Sequence, residues 1–410
     1  MLNGLFTDTI EPIRIAFDKL LPQENIRIFS ATGPVSEIHF GNKSRRQISE
    51  FLREEYLDSL NPDIIHICSL FEGYLDDAVT SIGLLGEATP VSVTFHDLIP
   101  FLNYEHYLKQ NKTFSAFYHS KLDYLRRASI LLTLSDSVTR EGAKHIPFNK
   151  NNIVNTSTGL SLTLKKLSSK SLLPQDIVQP FIFASGSEDP HKNLGLLVEA
   201  YASLPNSIRK KFSLVLGGNF SKRWIEQVQK QAHEQGLSAT SLKFPGKLHD
   251  DELQVLYKCC SLFIFPSWHE GFGLPVLEAM ACGAPVICSN TTSLPEVIGL
   301  PEATFNPFDV NSICAKMMQA LNDEAFLQRL RDHGNKQAQK FSWDKTARKT
   351  FEAWEKLVPS GKGQCYKPRP PAIIHQDLAK VLGKASNSLI LNTAVCLSQN
   401  QQNGLTRQLF

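Results

Sequence analysis

The sequence predicts an α/β fold of two doubly wound parallel-sheet domains that face a common cleft. Three observations carry this expectation. Short apolar runs alternate with longer amphipathic ones along most of the chain, the pattern of parallel strands covered by helices on both faces. The alternation falls into two series, separated by a polar, Lys- and Ser-rich stretch at residues 160–180. In the second series, glycine-bearing loops follow the strand ends, where sheets of this kind bind their ligands.

The elements can be taken in order. Residues 2–8 are followed by a helical pattern over 10–21 and a strand-like run at 26–30. A complete domain of this type usually opens with a strand and a Gly-containing turn. The first domain, residues 1–159, is therefore expected to lack its opening βα unit. Buried strands are expected at 64–70, 90–95 and 130–135, with a helix over 114–128. The linker at 160–180 carries Pro174 and Pro180. The second domain, residues 181–358, has strand runs at 181–185, 212–217, 242–245, 262–266 and 284–289. Beyond it, residues 359–410 read as linker and tail: a Pro/Gly-rich stretch to Pro371, a short helical pattern at 377–385, then a Gln/Asn-rich stretch. The short opening and this tail together predict a fragment of a longer polypeptide.

Composition narrows the function classes. A formal charge of +3 over 410 residues is too small to argue for nucleic acid. No apolar run approaches bilayer-spanning length, and Met1-Leu2-Asn3-Gly4 does not open a secretory signal, so we expect a cytoplasmic protein. The eight cysteines form no CxxC pair and read as buried free thiols, not a zinc site. Residues 104–127 interleave aromatic and basic side chains. This is the pattern either of a covering helix or of one lying on an anionic membrane face.

Two loops of the second series carry chemistry. The first is Phe265-Pro266-Ser267-Trp268-His269-Glu270-Gly271-Phe272-Gly273-Leu274-Pro275, continuing through Glu278 to Gly283. A buried strand ends at Pro266. Glycines then let backbone approach a ligand, Pro275 suits a first helical turn, and Gly283 suits a helix stop. The helix start so formed suits a diphosphate, with Glu270 before the loop and Glu278 within the helix. The second loop, Gly186-Ser187-Glu188-Asp189-Pro190-His191-Lys192-Asn193, also follows a strand. It offers Lys192 as a point charge, with His191 beside it as a titratable one.

The first string resembles the Glu-x7-Glu motif of glycosyltransferase family 4, the group 1 retaining enzymes. The resemblance covers residues 60–357 and is closest over 181–299. It implies a GT-B fold of two Rossmann-like domains, with the donor bound mainly by the second. It also implies roles. Glu270 contacts the transferred sugar, and Gly271, Phe272, Gly273 and Leu274 hold sugar and phosphate. Glu278 binds the ribose, and Lys192, with Ser187 and His191 in its loop, faces the diphosphate. The family has Arg where this chain has His191. Phe244-Pro245-Gly246-Lys247-Leu248 resembles the loop that contacts the base, and Ser293-Leu294-Pro295-Glu296 a loop near the donor, where Glu296 serves either the donor or a helix start. In the first domain, Phe95-His96-Asp97 resembles a turn near the transferred sugar, where His96 either stabilises charge or positions the acceptor. Residues 69–73 and 76–83 resemble a subgroup found among bacterial O-antigen mannosyltransferases.

The resemblance therefore implies a retaining transfer of a hexose, mannose from GDP-mannose, to a saccharide or lipid-linked glycan acceptor in cell-surface polysaccharide synthesis. The catalytic residues would be Glu270, Lys192 and His96, with no cofactor beyond the nucleotide sugar and no metal. Further transferase modules are expected as partners, and at most peripheral contact with the inner membrane face. Two rivals stand beside this reading: a nucleotide-sugar epimerase on the same fold, and a non-catalytic nucleotide-binding module of a larger synthase.

Overall fold

The computed structural model describes residues 1–86, 89–160, 173–174 and 176–358. The expected linker at 160–180 lies largely outside the described residues, and the tail at 359–410 wholly so.

The first half runs β1 (Leu2–Asn3), α1 (Thr7–Phe17), β2 (Ile28–Phe29), α2 (Lys43–Ser59), β3 (Ile65–Ile67), β4 (Val91–Phe95), α3 (Ile99–Leu102), α4 (Tyr104–Tyr107), α5 (Lys112–Leu125), β5 (Ile130–Thr133), α6 (Asp136–His145) and β6 (Ile153–Asn155). Strands β3 to β6 form a parallel sheet in chain order, while β1 and β2 pair separately, also in parallel. A two-residue strand and a helix thus open the described first half, with β1 pairing to β2 and not to the four-stranded sheet. Asn3 ends its two-residue strand and accepts the Leu5 N–H to turn the chain into α1. The sequence pattern does not reveal that strand because two residues carry no periodicity.

The second half runs β7 (Phe181–Ser185), α7 (Leu194–Ala202), α8 (Asn206–Lys211), β8 (Ser213–Gly217), α9 (Lys222–Glu234), β9 (Leu242–Lys243), α10 (Asp250–Cys259), β10 (Leu262–Phe265), α11 (Leu274–Ala281), β11 (Val286–Ser289), α12 (Leu294–Ile298), β12 (Thr304–Phe305), α13 (Val310–Asn322), α14 (Glu324–Ala338) and α15 (Trp343–Glu355). Its sheet is parallel throughout, in the order β12-β11-β10-β7-β8-β9. The chain starts in the middle with β7, winds outward to β9, then crosses back to β10 and winds the other way. Strands β7, β10 and β11 are apolar along their length because both faces are covered. The order reverses between β7 and β10, so the loops that leave their carboxyl ends part there and leave a crevice.

The last helix corrects the expected boundary of the second domain. Helix α15 returns to the first sheet: Ala353 is buried against Ile130 and Leu132, and the Trp354 indole N–H donates to Ser92 Oγ at 2.9 Å. The return passes so close to Gly159 that a side chain there would overlap the Trp343 backbone. The described end of the first half thus lies beside the returning chain. The amphipathic pattern of 343–355 names an apolar face but not the sheet that covers it.

Helix α5 settles the aromatic and basic stretch toward a covering helix. Phe117, Tyr118, Lys121 and Leu122 are all buried beneath it. Among the described residues, no helix is long and apolar enough to cross a membrane.

Candidate active site

Lys192 follows β7 and Glu270 follows β10, so both emerge at the switch point. The structure joins them: Lys192 Nζ lies 2.6 Å from Glu270 Oε1. Glu270 is 9% exposed, and Lys192 also stands over the face of the Phe265 ring at 5.7 Å. A charged hydrogen bond this short and this sheltered from water is among the stronger kinds.

The loop that carries Glu270 is braced from behind. The Glu270 N–H donates to Thr292 Oγ1 at 3.1 Å, and the Ser293 hydroxyl reaches the carbonyls of Glu270 and Phe272 at 2.9 and 2.8 Å. Ser293 was expected at the ligand, but its side chain has no exposure, so it holds the loop instead. Phe272 is likewise turned inward, edge-on to Phe341, leaving only its backbone for a ligand. At Gly271 a Cβ would overlap the His96 carbonyl oxygen, which is why glycine is required. Gly273 has φ +102° and ends the loop at the start of α11, with Leu274 exposed and Pro275 in the first turn.

Glu278 lies one turn into α11, half-buried, and accepts the Tyr257 hydroxyl at 3.2 Å. Burial raises its pKa, and the Tyr257 bond pulls it part of the way back. Gly246 has φ +79° and its carbonyl faces the Gly218 N–H, so the expected base loop meets the end of β8; Lys247 beside it is exposed. The Ser187 hydroxyl donates to Asp189 within its own loop.

From the first half, His96 projects exposed into the cleft, with Nε2 3.0 Å from the Cys68 carbonyl. Asp97 accepts the Ile99 N–H at 2.9 Å. Burial raises its pKa, opposed by that bond and by His269 and His96. Glu296 resolves its two alternatives unexpectedly. Its carboxylate accepts the Asp136 and Ser137 N–H groups at 2.9 and 3.0 Å, so it caps helix α6 of the opposite half. The Ser135 hydroxyl returns the contact, donating to the Gly271 carbonyl at 2.7 Å.

His191 is not directed as expected. Its Nδ1 lies 2.6 Å from the Tyr107 hydroxyl across the cleft, and it is 8% exposed. Burial and the adjacent Lys192 lower its pKa. Sequence reasoning missed Tyr107, and also His269, Asn103 and Glu141, which meet nearby. The available signal was that a histidine directly precedes each of Lys192 and Glu270.

Residues 170–340, which hold both loops, match the family described as Glycosyl transferases group 1. The chain is 34% identical over 270 residues to O-antigen chain mannosyltransferase B of Escherichia coli, covering 64% of this chain and 70% of that protein. The chain belongs to the group 1 glycosyltransferase family. It is also 36% identical over 373 residues to the serotype-specific mannosyltransferase WbdA of Escherichia coli, covering 88% of this chain but 45% of WbdA. The chain thus spans just under half the length of that relative. Among solved structures, sucrose-phosphate synthase from Thermosynechococcus elongatus superposes with a TM-score of 0.61 at 20% identity, over 81% of this chain and 83% of that one. At that identity the likeness speaks for the fold alone, the two-domain GT-B arrangement.

Proposed function

We propose that this group 1 glycosyltransferase moves mannose from GDP-mannose, with retention at the anomeric carbon, to a saccharide or lipid-linked glycan acceptor in cell-surface polysaccharide synthesis. It would act in the cytoplasm, with at most peripheral contact with the inner membrane face. The observation that carries the reading is the Lys192–Glu270 pair at the switch point, 2.6 Å apart beside the start of α11. The choice of sugar leans on the relatives, both of which are named mannosyltransferases.

In this reading Lys192 and the first N–H groups of α11 meet the diphosphate. Negative charge grows there as the bond from the sugar C1 to phosphate oxygen breaks, and a prearranged cation lowers that barrier. Glu270 holds hydroxyls of the sugar and favours its cationic character, while Glu278 takes the ribose. The acceptor oxygen bonds to C1 on the face the phosphate leaves, and its proton passes to the departing phosphate oxygen. His96, at the end of β4, positions the transferred sugar or the acceptor.

The test is a panel of nucleotide-sugar donors, each supplied with and without a mannose-bearing acceptor. Product mass gives transfer, and the NMR coupling at C1 gives configuration. Transfer from GDP-mannose with retained configuration supports the reading. A changed donor in the absence of acceptor would mark an epimerase, and nucleotide binding without product would mark a binding module.

A further inference from the structure

Each charged partner of the switch-point pair follows a histidine in sequence, His191 before Lys192 and His269 before Glu270. Both histidines are buried, at 8% and 6% exposure, and both turn away from their charged neighbour toward the first half of the molecule. His191 Nδ1 meets the Tyr107 hydroxyl at 2.6 Å. His269 Nδ1 accepts the Asn103 side-chain amide at 3.1 Å, and its Nε2 lies 3.1 Å from Glu141 Oε1.

The two histidine loops are also one unit. The Trp268 N–H and the Ser267 hydroxyl both donate to the His191 carbonyl at 2.9 Å, and the Trp268 indole N–H donates to the Pro190 carbonyl at 3.1 Å. A shift of either loop is therefore passed to the other. On the opposite side, Asn103 joins α3 to α4 and Tyr107 ends α4, the two short helices that follow His96 and Asp97. One seat thus meets the unit that carries Lys192 and Glu270 and continues the turn that carries His96.

We propose that Tyr107, Asn103 and Glu141 form a clasp for His191 and His269. This clasp fixes the closed arrangement of the two halves and, through it, the geometry of Lys192 and Glu270 against His96. This rests on the transferase reading for its effect on rate, though not for its effect on closure. The three are positioning residues. They act through the histidines, and none needs to touch the donor. The protonation states favour such a clasp. Burial pushes the Tyr107 pKa up to about 12 and, with the adjacent Lys192, lowers that of His191, so both groups favour their uncharged forms. Two bonded contacts of this kind hold two domains in one register, whereas apolar contacts would let them slide.

The experiment compares wild type with Tyr107→Phe, Glu141→Ala and the double variant. These changes leave Lys192, Glu270 and the phosphate-side backbone intact. The expected result is a fall in kcat of about tenfold for the double variant, the larger share coming from Tyr107→Phe, which removes the hydrogen bond to His191. Affinity for GDP, measured by calorimetry, stays within twofold. An unchanged kcat would overturn the proposal. So would a parallel loss of GDP affinity, since His191 and its loop would then be serving the phosphate directly. X-ray scattering supplies an arm independent of catalysis: the double variant should show a larger radius of gyration than wild type at an unchanged far-ultraviolet circular dichroism spectrum. An identical radius would overturn the clasp even if the chain transferred no sugar at all.

Discussion

The sheet of the second half runs unbroken through six strands over one continuous apolar core, and the charged side chain buried there, Glu270, faces the cleft. The first half divides its strands between a pair and a sheet of four, over separate small cores, and buries Glu50, Arg53, Glu55 and Lys121 on α2 and α5. These charges clamp an irregular segment. Lys121 Nζ donates to the Thr80 carbonyl and hydroxyl at 2.6 and 2.8 Å, and Arg53 donates to the Ser81 carbonyl at 3.2 Å. Tyr124 donates to Glu50 at 2.9 Å, and Glu50 stands 3.7 Å from Lys121. The contrast teaches that a buried charge has two meanings in one molecule. In the second half it marks the site; in the first it replaces the strand pairing that residues 68–81 do not make.

The sharpest break of this comparison is Lys121→Ala. Burial pulls the Lys121 pKa down to about 8 and raises that of Glu50, so each charge is tolerated only through its partners. Removing the lysine strands the carboxylate, and a stability loss of about 3–5 kcal/mol is expected. Thermal denaturation checks it. A loss under about 1 kcal/mol, the range of an exposed ion pair, would mean the network is ornamental and the two halves are built alike.

A smaller effect, of opposite sign, is expected at Glu55. Its carboxyl is 6% exposed, its Oε2 has no hydrogen-bond partner, and burial raises its pKa to about 7 from 4.5. Between those values the folded chain keeps a proton that the unfolded chain has lost, so stability falls as pH rises through that window. Above it the native carboxylate costs on the order of 3 kcal/mol. Glu55→Gln should therefore melt later than wild type at pH 8, with the difference shrinking toward zero near pH 4. A pH-independent difference would place the cost elsewhere.

The smallest effect tests the second half. Tyr257 is fully buried and its hydroxyl donates to Glu278. Tyr257→Phe keeps the ring and removes about 1 kcal/mol of orientation from that carboxylate. The expected outcome is a KM for the donor raised about fivefold with kcat little changed; an unaltered KM would detach Glu278 from the donor.

The same contrast explains what the sequence could reveal. The site strands were legible because a doubly covered parallel strand must be apolar throughout, and β7, β10 and β11 are bounded by Gly, Pro or polar residues. The loops were legible because Gly271, Gly273 and Pro275 each answer a backbone demand. Side-chain direction was not. Phe272 and Ser293 sit in the right loop but turn into the core, a matter of packing against Phe341 and two carbonyls. Nor was anything that depends on the two halves meeting: the return of α15, the capping of α6 by Glu296, and the partners of His191 and His269. Those contacts join residues distant in sequence, and no local periodicity reports them.

The central claim is that Lys192 and Glu270 are the charged heart of a donor site, and one calorimetric series tests it directly. In this structure Lys192 is bonded to Glu270, so a diphosphate competes with that carboxylate for the ammonium group. GDP titrated into wild type, Lys192→Met and Glu270→Gln should bind about tenfold more weakly to the lysine variant. It should bind equally well or several-fold more tightly to the glutamate variant, in which the ammonium is released. Transfer should fall on the order of 10²-fold or more in both, as removal of a charge-stabilising group does. Equal GDP affinity in all three proteins, with transfer intact in either variant, would contradict the account.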